Sequence, residues 1–161
     1  MIKVLFVCLG NICRSPLAEA IFNHKIKTLG LEQKFLCDSA GTSDFHIGEL
    51  PDERTIKCAI RNGLPISHRG RQINRTDFRE FDYIIAMDDH NLRNLNNLKS
   101  RYNFADKQVH LMRSFVPESE GLPVPDPYYG TEEGFDEVYN ILNEAIESFL
   151  EKIKATHQLY A

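Results

Sequence analysis

The chain has 161 residues, with 19 Lys and Arg against 23 Asp and Glu, for a formal net charge of -4; without a long basic run, this balance argues against nucleic acid or an acidic membrane surface as the main partner. That length fits one domain over residues 1–161 with a substantial core. The four cysteines, Cys8, Cys13, Cys37 and Cys58, contain no C-x-x-C pair, which argues against a zinc ribbon, a thioredoxin-type motif or a secreted disulfide framework.

In chain order, the apolar stretch Ile2 to Cys8 predicts a first strand. It is too short for a signal peptide or membrane span, so cytoplasmic residence is the default. Ser15 suits a helix N-cap and Pro16 a first helical position, which predicts a helix over Ser15 to Leu29 with Leu17, Ala20, Ile21 and Ile26 near one face. Lys34 to Ser39, Tyr83 to Met87 and Gln108 to Met112 read as further strands, and Asp52 to Asn62 and Asp88 to Leu98 as helices. Glu132 to Ile153 is the clearest helix, with Phe135, Val138, Tyr139, Leu142, Ile146, Phe149 and Ile153 at helical spacing. Gly41 to Pro51 and Val116 to Thr131 read as loops. The alternation predicts a single-domain, three-layer α/β fold: a central parallel sheet of about four strands, helices on both faces, and ligands beyond the C-terminal strand ends.

Cys8 stands at such an end, in the run Val7-Cys8-Leu9-Gly10-Asn11-Ile12-Cys13-Arg14-Ser15-Pro16. Backbone N–H groups from Leu9 to Arg14 can form an oxyanion nest, with Gly10 relieving unusual dihedrals. Arg14 adds a planar fork for two phosphoryl oxygens. Beside that positive field Cys8 is expected to be an activated nucleophile. A cysteine ending an apolar strand is ordinarily a small buried hydrophobe. Here only Cys8 has an arginine six residues later, and the pair sits inside a strand, a Gly-containing loop and a Ser-Pro helix start. The loop lacks the Gly-Lys-Ser/Thr ending of a nucleotide-binding P-loop. Cys13 shares the loop, where a disulfide with Cys8 would make the protein redox-sensitive.

Cys8 to Pro16 resembles the signature loop of the low-molecular-weight protein tyrosine phosphatases, also called low-molecular-weight acid phosphatases. Asp38-Ser39-Ala40-Gly41-Thr42, His68 with Arg71-Gln72-Ile73, Asp82-Tyr83-Ile84 through Ala86-Met87-Asp88, and Asp126-Pro127-Tyr128-Tyr129-Gly130 resemble later blocks of that family in the same order. The resemblance implies metal-independent hydrolysis of protein phosphotyrosine and small aryl phosphates through a cysteinyl-phosphate, without a cofactor. Cys8 is then the nucleophile, Arg14 the transition-state clamp and Asp126 the general acid and base. A phenolate leaving group, with a conjugate acid pKa of about 10, needs that proton. Without the resemblance, Asp126-Pro127 reads as an ordinary turn with partly buried tyrosines.

By the same resemblance, Asn11, Ser15, Ser39 and His68 hold the phosphate loop of Leu9, Gly10, Asn11, Ile12 and Cys13 in shape, and Ser15 steadies the thiolate. Leu9, Ile12, Phe45, His46, Tyr128 and Tyr129 are expected at the entrance. The family often carries Trp where this chain has Phe45, and a core-packing role for Phe45 stands equally open. The implied partners are phosphotyrosine proteins and oxyanions in the loop, with neither nucleic acid nor membrane, and the chain is expected as a monomer with weak self-association left open. Three alternatives stay open. Protein-arginine phosphatases tend to carry Thr at the position of Ile12 and lack the tyrosine pair. Thiol-dependent arsenate reductases need a relay cysteine pair, for which Cys37 and Cys58 are too far apart in sequence. A non-catalytic phosphate-binding module would have no need of both Cys8 and Asp126.

Overall fold

Strand β1 (Ile2–Cys8) runs through the centre of a computed structural model that describes residues 1–159. Its residues alternate between two cores: Val4, Phe6 and Cys8 face one, Leu5 and Val7 the other. That division requires a strand buried on both faces, and the near-continuous apolar run supplies it. β1 pairs in parallel with β2 (Phe35–Gly41) on one side and β3 (Tyr83–Ala86) on the other, and β3 pairs with β4 (Val109–Leu111). The order β2-β1-β3-β4 places the topological switch point beside the end of β1, where a parallel sheet opens a crevice.

Helices α1 (Arg14–Thr28), α2 (Glu53–Arg61) and α5 (Glu132–His157) contribute to the larger core, in which Phe6, Phe22 and Phe149 meet ring to ring. Helices α3 (Arg75–Glu80) and α4 (Asp89–Arg101) pack through Phe78 and Leu95 into the smaller one. The expected three-layer α/β fold with four parallel strands is what forms. Among the described residues, no helix is long and apolar enough to cross a membrane.

Three local expectations are corrected. Helix α1 starts at Arg14, with Cys13 at its N-cap position and no side-chain cap, so Ser15 and Pro16 lie inside the first turn. The Ser15 hydroxyl is committed to Cys8 and Asn11 instead of capping the helix. Helix α3 has no counterpart among the expected elements: at six residues it offers no periodicity, and its sign is a capping box between Asn74 and Asp77. The segment after β4 leaves the sheet early, forming a 3-10 turn over Met112–Phe115.

Candidate active site

The turn from β1 into α1 pivots on Asn11, whose φ of 59° places a side-chain-bearing residue in the left-handed region. The side chain offsets that strain by filling its hydrogen-bonding capacity. Its Oδ1 accepts from the Arg71 amide at 3.0 Å and from His68 Nε2 at 2.7 Å, and its Nδ2 donates to Ser15 Oγ at 2.8 Å and Ser39 Oγ at 3.1 Å. Because the Arg71 amide can only donate, it fixes the carboxamide orientation, and His68 must carry its proton on Nε2. Asn11, Ser15, Ser39 and His68, expected as loop supports, are one hydrogen-bonded unit. Gly10 has no positive φ, contrary to the expected reason for a glycine there. A Cβ at Gly10 would come 3.1 Å from His46 Cδ2, so its smallness serves the close passage of His46.

The loop carbonyls are taken up from outside. The Thr42 amide donates to Cys8 O at 2.9 Å, the Ser43 amide to Leu9 O at 3.0 Å and the Asp52 amide to Ile12 O at 2.8 Å. Gly41 permits this docking, since a Cβ there would lie 2.7 Å from Leu9 O.

Cys8 Sγ, nearly buried, lies 2.9 Å from Ser15 Oγ. Ser15 accepts from Asn11, which leaves its own proton available to a sulfur anion. The other loop cysteine differs: burial first, then the charges of Asp52 and Cys8, push the Cys13 thiol up to about 12. Cys13 therefore stays a thiol, and burial likewise pushes Cys58 up to about 11. No cysteine among the described residues is in a disulfide.

Arg14 is buried, and its Nη1 donates to Asp88 Oδ2 at 2.7 Å and to Val124 O at 2.9 Å. Both Nη1 hydrogens are thereby used, leaving Nε and Nη2 to offer the bidentate fork. Burial opposes the cation, yet the opposite charges of Cys8, Asp88 and Asp126 outweigh it and hold Arg14 above its ordinary range. Asp126 Oδ2 stands 3.8 Å from Arg14 Nη2, and its Oδ1 accepts from the Tyr128 amide at 3.1 Å. Cys8, Arg14 and Asp126 line one cavity of about 340 Å³, together with Leu9, Ile12, Phe45, His46, Tyr128 and Tyr129. The expected entrance residues are thus brought together. Phe45 is 70% exposed and Tyr129 89%, which excludes core packing for Phe45 and partial burial for Tyr129.

Two features of the site escaped the sequence. Asp88 caps α4 by accepting from the Asn91 amide with Oδ1 while holding Arg14 with Oδ2; its N-cap position is readable in sequence, its partner 74 residues away is not. Arg54 carries the second. Its Nε and Nη2 donate to Asp52, and its Nη2 and Nη1 also reach the carbonyls of Tyr128 at 2.9 Å and Gly130 at 3.0 Å. Since the Asp52 amide donates to Ile12 O, Asp52 and Arg54 bridge the phosphate loop to the loop that bears Asp126.

Comparison with known proteins agrees with this geometry. Residues 3–159 match the family model of the low molecular weight phosphotyrosine protein phosphatases. The chain is 44% identical over 150 residues to the low molecular weight phosphotyrosine protein phosphatase of Homo sapiens, covering 93% of this chain and 94% of that protein. A protein tyrosine phosphatase from Entamoeba histolytica, solved with Hepes in its active site, is similar with a TM-score of 0.89 and 40% identity, covering 98% of this chain and 99% of that one. A drosophila arginine phosphatase has the same TM-score of 0.89 at 37% identity, covering 95% of this chain and 98% of that one.

Proposed function

Because the chain belongs to the low molecular weight phosphotyrosine protein phosphatase family, we propose that it hydrolyses protein phosphotyrosine and small aryl phosphates on the cavity shared by Cys8, Arg14 and Asp126. It is a cysteine-based, metal-independent hydrolase. That shared cavity is the observation on which the residue assignments rest.

In the first step the Cys8 thiolate attacks phosphorus. The S–P bond forms, the P–O bond to the phenol breaks, and Asp126 gives its proton to the departing oxygen. Arg14, through Nε and Nη2, and the loop N–H groups bind the equatorial oxygens as their charge redistributes. In the second step a water attacks the cysteinyl-phosphate, passes its proton to Asp126, and displaces the thiolate. The Ser15 hydroxyl, 2.9 Å from Sγ, supports the sulfur anion as it is released. Asn11, Ser39 and His68 contribute by holding the loop in this geometry. Cys13, kept protonated by burial, does not compete as a nucleophile.

Leu9, Ile12, Phe45, His46, Tyr128 and Tyr129 form the walls met by the aromatic ring and the protein around it. Tyr128 and Tyr129 meet edge to face at 5.0 Å between ring centroids and give the entrance an aromatic side. Ile12 adds an apolar side chain to the same wall, which suits a flat ring over a guanidinium, so the arginine phosphatase reading is not favoured. We read residues 1–161 as one phosphatase domain, acting as a monomer in the cytoplasm on phosphoproteins; the four unpaired cysteines suit a reducing compartment.

The test is a panel of phosphotyrosine, phosphoserine and phosphoarginine peptides offered to the purified protein with chelator present. Turnover of the phosphotyrosine peptide alone is expected. Preference for phosphoarginine, or activity that disappears with chelator, overturns the assignment.

A further inference from the structure

The turn at residues 46–49 stands at the rim of the catalytic cavity and carries an apolar surface. Phe45 is 70% exposed, Ile47 59% and Leu50 51%; Phe45 lines the cavity, and Ile47 and Leu50 continue beyond it. Single exposed apolar side chains are ordinary on a protein surface. Three within six positions, adjoining the mouth of a site, make a patch that a partner can cover. We propose, building on the phosphotyrosine reading of that cavity, that Ile47 and Leu50 form a second substrate subsite. It takes a bulky aliphatic side chain two positions from the phosphotyrosine, on an extended segment of the substrate protein.

The sequence builds a fixed platform there. Gly48 has a φ of 82°, the left-handed position that a turn of this kind reserves for glycine, and the Glu49 amide closes the turn on His46 O at 3.1 Å. The Gly48 amide donates to Gly70 O and the Gly70 amide to Glu49 O, each at 2.8 Å, and Arg69 Nη1 donates to Gly48 O at 3.1 Å. A Cβ at Gly70 would collide with His46 O, so the segment after α2 can hold the turn this closely only with glycine at that place. The His46 ring joins the turn to the cavity: its Nδ1 lies 2.7 Å from Glu49 Oε2, and its Cδ2 edge passes the phosphate loop at Gly10. A surface held in this way loses little conformational freedom when it is covered, so more of the burial appears as affinity.

Reach and strand geometry identify the occupant. The ends of such a turn lie within about 7 Å of each other, which keeps Ile47 and Leu50 close to the wall formed by Phe45 and His46. An extended peptide advances about 3.3 Å per residue and alternates its side chains between two faces. With the phosphotyrosine ring in the cavity, side chains one position away point off the surface, whereas those two positions away, about 6.6 Å along, return to it. Phe45 belongs to the patch and to the cavity alike, and that continuity favours a substrate segment over a second copy of this chain.

The test is kcat/KM of the full chain on matched phosphotyrosine peptides carrying Leu or Ser two positions before or after the phosphotyrosine, beside a small aryl phosphate. Leu should exceed Ser about fivefold at one of the two positions, mainly through KM, the scale of partly covering one aliphatic side chain. Ile47→Ser combined with Leu50→Ser should bring that ratio under about twofold and leave turnover of the aryl phosphate unchanged, which also reports that the fold is kept. Turnover of the peptides without a Leu preference in the parent, or a preference retained in the double variant, overturns the subsite alone. Absence of turnover on every phosphotyrosine peptide overturns the phosphotyrosine reading and the subsite with it. Sedimentation of parent and double variant decides between occupants: self-association that the substitutions abolish, with the peptide ratio unchanged, gives the patch to a second copy and overturns the proposal.

Discussion

The two loops that meet over the cavity are built in opposite ways. The phosphate loop is buried and over-determined: Cys8, Asn11, Arg14 and Ser15 are each almost wholly shielded, and Asn11 alone makes four hydrogen bonds. The loop bearing Asp126 is exposed, ends in two surface tyrosines, and leans on the Asp52–Arg54 bridge and the long approach to Arg14. Binding the transferred phosphoryl group needs fixed donors, because electrostatic stabilisation acts without reorganisation only when it is in place beforehand. Delivering a proton to varied leaving groups tolerates a looser support. Rigidity is thus concentrated where charge is redistributed, and adaptability where protein substrates arrive.

The sharpest way to break this contrast is to separate binding from chemistry on the rigid side. Cys8→Ser should abolish turnover while Arg14 and the loop amides still bind inorganic phosphate, as calorimetry can measure. Substantial turnover, or a phosphoenzyme trapped on another residue, would remove Cys8 from its role.

On the looser side, Asp126→Ala should cost roughly 10²–10⁴-fold on phosphotyrosine, the usual yield of general acid–base catalysis. Far less should be lost on an aryl phosphate whose phenol is acidic enough to depart as an anion. Single-turnover release across a series of substituted phenols reads this as a steeper dependence on leaving-group pKa. Equal losses along the series would mean that Asp126 positions the loop or substrate without donating a proton.

This asymmetry also governs what the sequence makes legible. The rigid loop is written in contiguous residues, so Cys8, Arg14 and their neighbours can be read as a nucleophile, a nest and a clamp from their order alone. Its supports Ser39 and His68 lie 28 and 57 residues from Asn11, and only the family resemblance brings them to the loop. Arg54 and Asp88 belong to neither kind. Each is an ordinary charged residue near a helix start, and its partners, carbonyls or a guanidinium some 74 residues away, leave no local trace. Helix α3 escapes detection for a related reason, since one buried Phe78 in six residues gives no period to find. The strands and long helices are readable because burial on two faces, or on one stripe, imposes a repeat.

A milder perturbation of the exposed loop separates support from proton transfer. Arg54→Gln keeps a polar side chain but removes the fork that reaches Tyr128 O and Gly130 O. The expected loss on phosphotyrosine is roughly tenfold, equivalent to about 1.4 kcal/mol of barrier, with little change on an activated aryl phosphate. Arg54→Lys should not restore the rate, because a point charge cannot span both carbonyls and Asp52. A uniform loss on both substrates would place the bridge under the phosphate loop instead.

The smallest effect expected is on stability, and it probes the rigid side through Asp88, the carboxylate that hydrogen-bonds Arg14. Burial raises the cost of ionising Asp88, but the Arg14 hydrogen bond, the Asn91 amide and the Arg14 charge outweigh it and hold its carboxyl below the ordinary range. A carboxylate with a folded pKa below its unfolded value of about 3.9 binds fewer protons in the folded chain. Its contribution is therefore fully present above about pH 4 and is lost as pH falls through the folded value. Asp88→Asn preserves the cap to Asn91 while removing the charge, so it should lower stability at pH 7 by about 1–2 kcal/mol, the scale of a charge-assisted hydrogen bond. Thermal unfolding from pH 7 downward should show the gap between parent and variant as constant to about pH 4 and closing below it. A gap that persists to lower pH would mean that Asp88 acts on Arg14 through shape alone. No gap at pH 7 would mean that Val124 O and the neighbouring anions hold the guanidinium without it.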